Sequence, residues 1–180
     1  MPVYDTSEQT DVEKEYTILI YCENVPGVTS SIINLFSRLG VNITSLIGAS
    51  SEKDDIYRVI IKCIATSNSL DKIVKQLHKL INIINVLDSY TTEFIEYEMC
   101  LVRIYYNDKI SPELYQDIYH FRGQIIYISD KAITVSFSDN PDKLKTITKM
   151  MNRFGTLEIV NSGVAVMEKE GNEFNTSYVA

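Results

Sequence analysis

The chain has 180 residues, 45% hydrophobic and 23% charged, with a formal net charge of −7. That is apolar material for one domain or two small ones, and the composition is not that of a disordered chain. An acidic chain offers no basic face to nucleic acid or to an anionic membrane, and no apolar run reaches the roughly 20 residues of a bilayer span.

Residues 1–15 are polar and acidic, unlike a signal or transit peptide, and predict a flexible tail on a cytoplasmic protein. Residues 16–22 are rich in β-formers and predict a strand. Glu23-Asn24-Val25-Pro26-Gly27 breaks it. Val28, Ile32, Leu35, Phe36 and Leu39 then make one helical stripe, which Gly40 stops. Residues 41–50 and 56–65 predict a hairpin around the polar turn 51–55. Ser67 or Ser69 is a suitable cap for a second helix, with Leu70, Ile73, Val74, Leu77, Leu80 and Ile81 as its stripe. A short strand over 83–87 completes a β-α-β-β-α-β order.

The order repeats. Residues 95–105 predict a strand, and Ser111-Pro112 opens a helix carrying Leu114, Tyr115, Ile118 and Tyr119. Gly123 ends it. Residues 124–128 and 133–137 form a hairpin, and Asn140-Pro141 starts a helix with Leu144, Ile147, Met151 and Phe154 along one face. After Gly155, residues 157–167 predict the last strand. The expected fold class is α+β, two ferredoxin-like βαββαβ modules in tandem. The expected boundaries are 1–15 (tail), 16–91, 92–168 and 169–180 (flexible tail).

Ile18, Ile20 and Cys22 point to one side of the first strand, Leu19 and Tyr21 to the other. A sheet apolar on both faces and covered by helices on one predicts a dimer. Cys22, Cys63 and Cys100 are far apart without a CxxC pair and read as small buried hydrophobes. His78 and His120 have no second ligand at metal spacing. No nucleophile–base set, GxGxxG or P-loop is present in the sequence, which makes a poor candidate for a catalyst.

The best candidate site is the turn from Asn24 to Gly27. A helix N-terminus exposes unpaired N–H groups and the positive end of the helix dipole, which suit a carboxylate. Gly27 would let a ligand approach the backbone. Asn24 can donate and accept, which suits an amino acid with one anionic and one cationic end. Asn42, just after Gly40, is expected at the same end of the sheet. Asn and Gly are also ordinary turn residues. Phe121-Arg122-Gly123-Gln124 reads as a helix C-terminus or an anion contact. Glu96 and Glu98, alternating on a strand, read as a solvated or subunit-contact face.

Glu23-Asn24-Val25-Pro26-Gly27-Val28, then Leu35-Phe36-Ser37-Arg38 and Gly40-Val41-Asn42-Ile43, resembles the ACT domain of the small regulatory subunit of acetolactate synthase (acetohydroxyacid synthase). Gln76-Leu77-His78-Lys79-Leu80-Ile81 is similar to that family's second helix. Phe121-Arg122-Gly123-Gln124-Ile125-Ile126 and Ile159-Val160-Asn161-Ser162-Gly163-Val164 are similar to its C-terminal domain. The resemblance covers residues 16–168.

The resemblance implies an N-terminal ACT domain, a C-terminal ferredoxin-like domain and no catalysis by this chain. It implies a homodimer through ACT domains and a catalytic large subunit as partner. That partner, not this chain, would carry thiamine diphosphate, FAD and magnesium; no cofactor or metal is expected here. The small subunit would activate the large one and confer feedback inhibition by a branched-chain amino acid, usually valine, in valine, leucine and isoleucine biosynthesis. The implied effector residues are Asn24, Gly27, Val28, Asn42 and Ile43, with Asn42 reaching in from the facing chain. Thr29 departs from the family's usual leucine, Tyr97 and Asn161 from arginine, and Tyr127 from aspartate. A free-standing ACT-type amino-acid sensor for another enzyme is the alternative.

Overall fold

A computed structural model describes residues 12–106 and 111–170. Most of the expected tails, residues 1–11 and 171–180, therefore lies outside the described residues. The first module contains β1 (Lys14–Glu23), α1 (Val28–Arg38), β2 (Ile43–Ser50), β3 (Ile56–Ala65), α2 (Ser67–Leu77) and β4 (Ile83–Asp88). The second contains β5 (Phe94–Tyr105), α3 (Pro112–His120), β6 (Gln124–Ile128), β7 (Ala132–Asp139), α4 (Pro141–Met151), a 3-10 turn (Asn152–Phe154) and β8 (Thr156–Glu168). The chain divides between Glu93 and Phe94 into two compact units. Each module is an antiparallel sheet, ordered β2-β3-β1-β4 in the first and β6-β7-β5-β8 in the second. This is the tandem ferredoxin-like architecture the periodicity predicts.

Period-2 and period-3.6 patterns meet in one core per module. In the first, Ile18, Ile20 and Cys22 of β1 and Val59, Ile61 and Cys63 of β3 are all 0% exposed. They pack with Ile32, Leu35 and Phe36 of α1 and with Leu70, Ile73 and Leu77 of α2. In the second, Val102, Ile104, Val135 and Phe137 pack with Leu114, Ile118, Leu144 and Ile147. The opposite face of the first sheet is also apolar. Ile47, Ile60, Leu19 and Leu87 form one cross-strand row through all four strands. Leu19 and Ile60 in that row are buried.

Several local expectations shift. Thr66, not Ser67 or Ser69, caps α2, its Oγ1 accepting from the Ser69 N–H at 3.3 Å. The α2 stripe was expected to run on through Leu80 and Ile81. The helix instead ends at Leu77, and the Lys79 and Leu80 N–H groups bond back to Gln76 and Leu77 as the chain turns into β4. That turn leaves Ile81 94% exposed, while Leu80 still packs against the core. Tyr115 and Tyr119 lie on the outer side of α3. Among the described residues no helix is long and apolar enough to cross a membrane.

Candidate functional site

Asn24 leaves the end of β1 exposed to solvent and is fastened by the β2–β3 turn. Its backbone N–H donates to the Asp55 carbonyl at 2.8 Å, and its side-chain Nδ2 donates to the Asp54 carbonyl at 2.8 Å. One of the two Nδ2 hydrogens is thus occupied. Among the described residues nothing donates to its Oδ1, so it can offer a ligand that acceptor as well as its second Nδ2 hydrogen. On the other side, the Glu23 N–H donates to the Asn82 carbonyl at 2.9 Å and Asn82 Nδ2 donates to Glu23 Oε2 at 2.7 Å. The turn is therefore held from two flanks.

Gly27 precedes α1 with φ 87° and ψ −9°. A Cβ there would meet nothing within 4 Å, so the position requires glycine for its left-handed backbone, and the space beside it is open. The other helices carry side-chain caps from Thr66, Ser111 and Asn140, but α1 has none. Nor is there an acidic residue in its first turn. Among the described residues the N–H groups of Thr29 and Ser30 have no backbone acceptor either. Unpaired N–H groups, the positive dipole end and an open approach favour a carboxylate, by about 0.3–1 kcal/mol from the dipole alone. Val28 is buried and contributes its side chain to the core, and its N–H bonds to the Val25 carbonyl at 3.4 Å. Thr29 is half-buried behind it.

Asn42 is not at this end of the sheet, contrary to expectation. Ile43, which follows it, pairs with Cys63, and Cys63 pairs with Tyr16 near the start of β1. At the other end Ser50 pairs with Tyr57, which pairs with Cys22. Helix α1, with 11 residues, carries the chain back along the sheet before β2 begins. From the level of Tyr16 to Glu23 is seven strand steps, or about 24 Å. One chain therefore presents the two halves of the expected site at opposite ends of its first sheet. Ile43 is half-buried against the core and Asn42 is exposed. The structure brings Asn24, Gly27 and Val28 together and leaves Asn42 and Ile43 apart from them.

Sequence reasoning missed the carbonyls of Asp54 and Asp55 and the side chain of Asn82. The signal available was the acidic turn 51–55, read only as a connection. Glu52, within it, is held below the ordinary carboxylate range, first by its own backbone N–H and then by Arg58, which it pairs with at 3.3 Å. Of the departures from the family pattern, the Tyr97 hydroxyl donates to the Ser138 carbonyl at 2.9 Å. Tyr127 lies exposed on β6 and Asn161 exposed on β8. Cys22 and Cys63 are fully buried, and burial pushes both thiols up to about 11. Among the described residues no group of three or more His, Cys, Asp or Glu is placed to hold a metal ion.

Comparison with known proteins gives a consistent result. Residues 18–85 match the model of the "AHAS small subunit-like ACT domain", and residues 97–170 match that of the "Small subunit of acetolactate synthase". The chain is 30% identical over 154 residues to the acetolactate synthase small subunit of Mycobacterium leprae, covering 86% of this chain and 91% of that one. It is 30% identical to a probable acetolactate synthase small subunit of Archaeoglobus fulgidus, over 88% and 99% of the two chains. The crystal structure of the acetolactate synthase small subunit from Thermotoga maritima superposes with a TM-score of 0.76 at 25% identity. It covers 88% of this chain and 99% of its own.

Proposed function

Because this chain belongs to the acetolactate synthase small-subunit family, and is thus a regulatory subunit without catalysis of its own, we propose that it senses a branched-chain amino acid. It would do so between two copies of its first module and pass the signal to the catalytic large subunit. The effector's carboxylate lies on the uncapped start of α1, and its ammonium faces Asn24 Oδ1. Asn42 arrives from the second copy. The observation that supports this most is the pairing of chemistries at one turn: free N–H groups at Thr29 and Ser30 beside an Asn24 that is fixed through Nδ2 and has an open Oδ1. The placement of Asn42 about 24 Å away along the same sheet supports a two-fold arrangement, since antiparallel copies bring opposite ends together.

In this reading thiamine diphosphate, FAD and magnesium belong to the large subunit, and the assembly works in the cytoplasm. Feedback inhibition is a shift between two states of the complex, with couplings of this kind typically 1–3 kcal/mol. The effector shifts them only by its difference in affinity for each. The test is calorimetric titration with valine, isoleucine and leucine, followed by activity of the assembled enzyme. One of the three should bind the wild-type chain, and Asn24→Ala should weaken it about tenfold or more, as loss of a hydrogen bond to a charged group does. Asn42→Asp places a second carboxylate near the effector's own and should abolish inhibition while leaving activation intact. Unchanged binding and inhibition in both variants would remove these residues from the site.

A further inference from the structure

We propose that Arg122, at the end of α3, is a preorganised anchor for a carboxylate on the catalytic large subunit. The proposal rests on the regulatory-subunit reading and adds to it a contact residue in the second module. Helices α1 and α3 end in the same hydrogen-bonded motif. After α1, the Val41 N–H bonds to the Phe36 carbonyl and the Gly40 N–H to Ser37. After α3, the Gly123 N–H bonds to the Ile118 carbonyl at 2.7 Å and the Arg122 N–H to Tyr119 at 3.0 Å. The motif needs a left-handed residue at its turning point, ordinarily glycine. Helix α1 supplies Gly40 at φ 68°, whereas α3 supplies Arg122 at φ 55°.

Arg122 is the one non-glycine residue with positive φ among the described residues. The neighbouring glycine serves another purpose. A Cβ on Gly123 would lie 2.5 Å from Phe137 Cε1 and 2.9 Å from Val135 Cγ1. Packing therefore fixes glycine at 123, and nothing in the packing asks for arginine at 122. A cation wanted only for the helix dipole could sit in the last turn without strain, where His120 already is. A strained residue is retained where the surroundings or the function hold it.

The guanidinium is also uncommitted. Arg58, Arg103 and Arg153 each pair with a carboxylate, but Arg122 forms no ion pair among the described residues. Asp139 feels its charge, yet that carboxylate is held by Lys143. Arg122 lines a cleft of about 840 Å³ with Gln116, Asp117, Tyr119, His120 and Gly123. Asp117 is taken by Arg153, which leaves Arg122 to set the sign of the cleft. Directly after it runs β6, an edge strand with Ile126 53%, Tyr127 63% and Ile128 48% exposed. An unpaired apolar edge beside a free guanidinium fork suits a protein partner that presents a carboxylate. A second copy docking symmetrically around Arg122 would bring cation against cation, which disfavours self-association here.

The test titrates the large subunit with the small one and reads the half-saturating concentration for activation. Arg122→Gly relieves the backbone, so its Tm should equal or exceed that of wild type. Its half-saturating concentration should rise about tenfold or more, as expected for losing one partner of an interfacial charge pair. Full activation should return at excess, and effector binding should stay unchanged. Arg122→Asn, which also tolerates a left-handed backbone, should behave alike. Wild-type half-saturation in both variants overturns the proposal, as does a lowered Tm in both, which would make Arg122 a folding residue. A changed oligomeric state with intact activation assigns it to contact between copies and overturns it too. If the wild-type chain itself fails to raise the large subunit's activity, the regulatory reading falls and the anchor with it.

Discussion

Asn24 illustrates how a neighbour's backbone decides what a side chain can do. Free in a turn, an asparagine amide can turn either end to a ligand; with one Nδ2 hydrogen given to the Asp54 carbonyl, its orientation is set and Oδ1 is left open. The sequence names the residue, but the orientation it presents depends on a contact 30 positions away. Gly27 was legible for a different reason. Its φ of 87° is one that other residues reach at roughly 1–2 kcal/mol, so a glycine before a helical stripe already marks the position. The cysteines were legible as well. All three are buried, and burial raises Cys100 in the same direction as Cys22 and Cys63. The raised thiols keep the native state protonated while the unfolded chain ionises from about pH 8.5. For Cys22 and Cys63 the contribution to stability is therefore complete below about pH 8.5 and is lost as pH rises toward about 11. At pH 8 a thiol-specific reagent should label the native chain at negligible rate and reach all three cysteines in denaturant. Rapid native labelling would contradict the burial.

At the scale of elements, periodicity told more about helix faces than about helix ends. Val28, Ile32, Leu35 and Phe36 of α1 and Leu144, Ile147 and Met151 of α4 are buried as their spacing predicts, Phe154 packs on the core from the 3-10 turn, and Leu39, just past the end of α1, is instead exposed. The end of α2 was not legible, because Leu80 keeps its place in the core from a turn. Its start was displaced by one residue, since Thr66, Ser67 and Ser69 are all capable caps and only geometry selects among them. The cap is worth testing because α1 lacks one. Thr66→Ala should cost about 1 kcal/mol, which for a module of this size lowers Tm by about 4–8 °C. Thr66→Ser should restore most of it. Thermal denaturation of the two variants reads the difference, and an unchanged Tm in Thr66→Ala would mean the Ser69 N–H finds another partner. The contrast with α1 is functional in this account: one helix start is satisfied internally and the other is left for a ligand.

For the molecule as a whole, the tandem fold was plain from two repeats of one pattern, and the turn from Asn24 to Gly27 stood out as the candidate site. Its geometry was not plain. Asn42 follows Gly40 closely in sequence, and sequence alone does not show that α1 has carried it the length of the sheet. A site that draws Asn42 from the facing chain, as the family resemblance implies and as we propose, has a direct test by subunit mixing. In a two-fold dimer each site takes Asn24 from one chain and Asn42 from the other. Chains carrying Asn24→Ala and chains carrying Asn42→Asp should each bind the effector weakly alone. After unfolding and refolding together, mixed dimers should contain one site with both native residues, restoring roughly a quarter of wild-type calorimetric capacity at wild-type affinity. A mixture that binds no better than either variant alone, under conditions where wild type binds, would contradict the shared site.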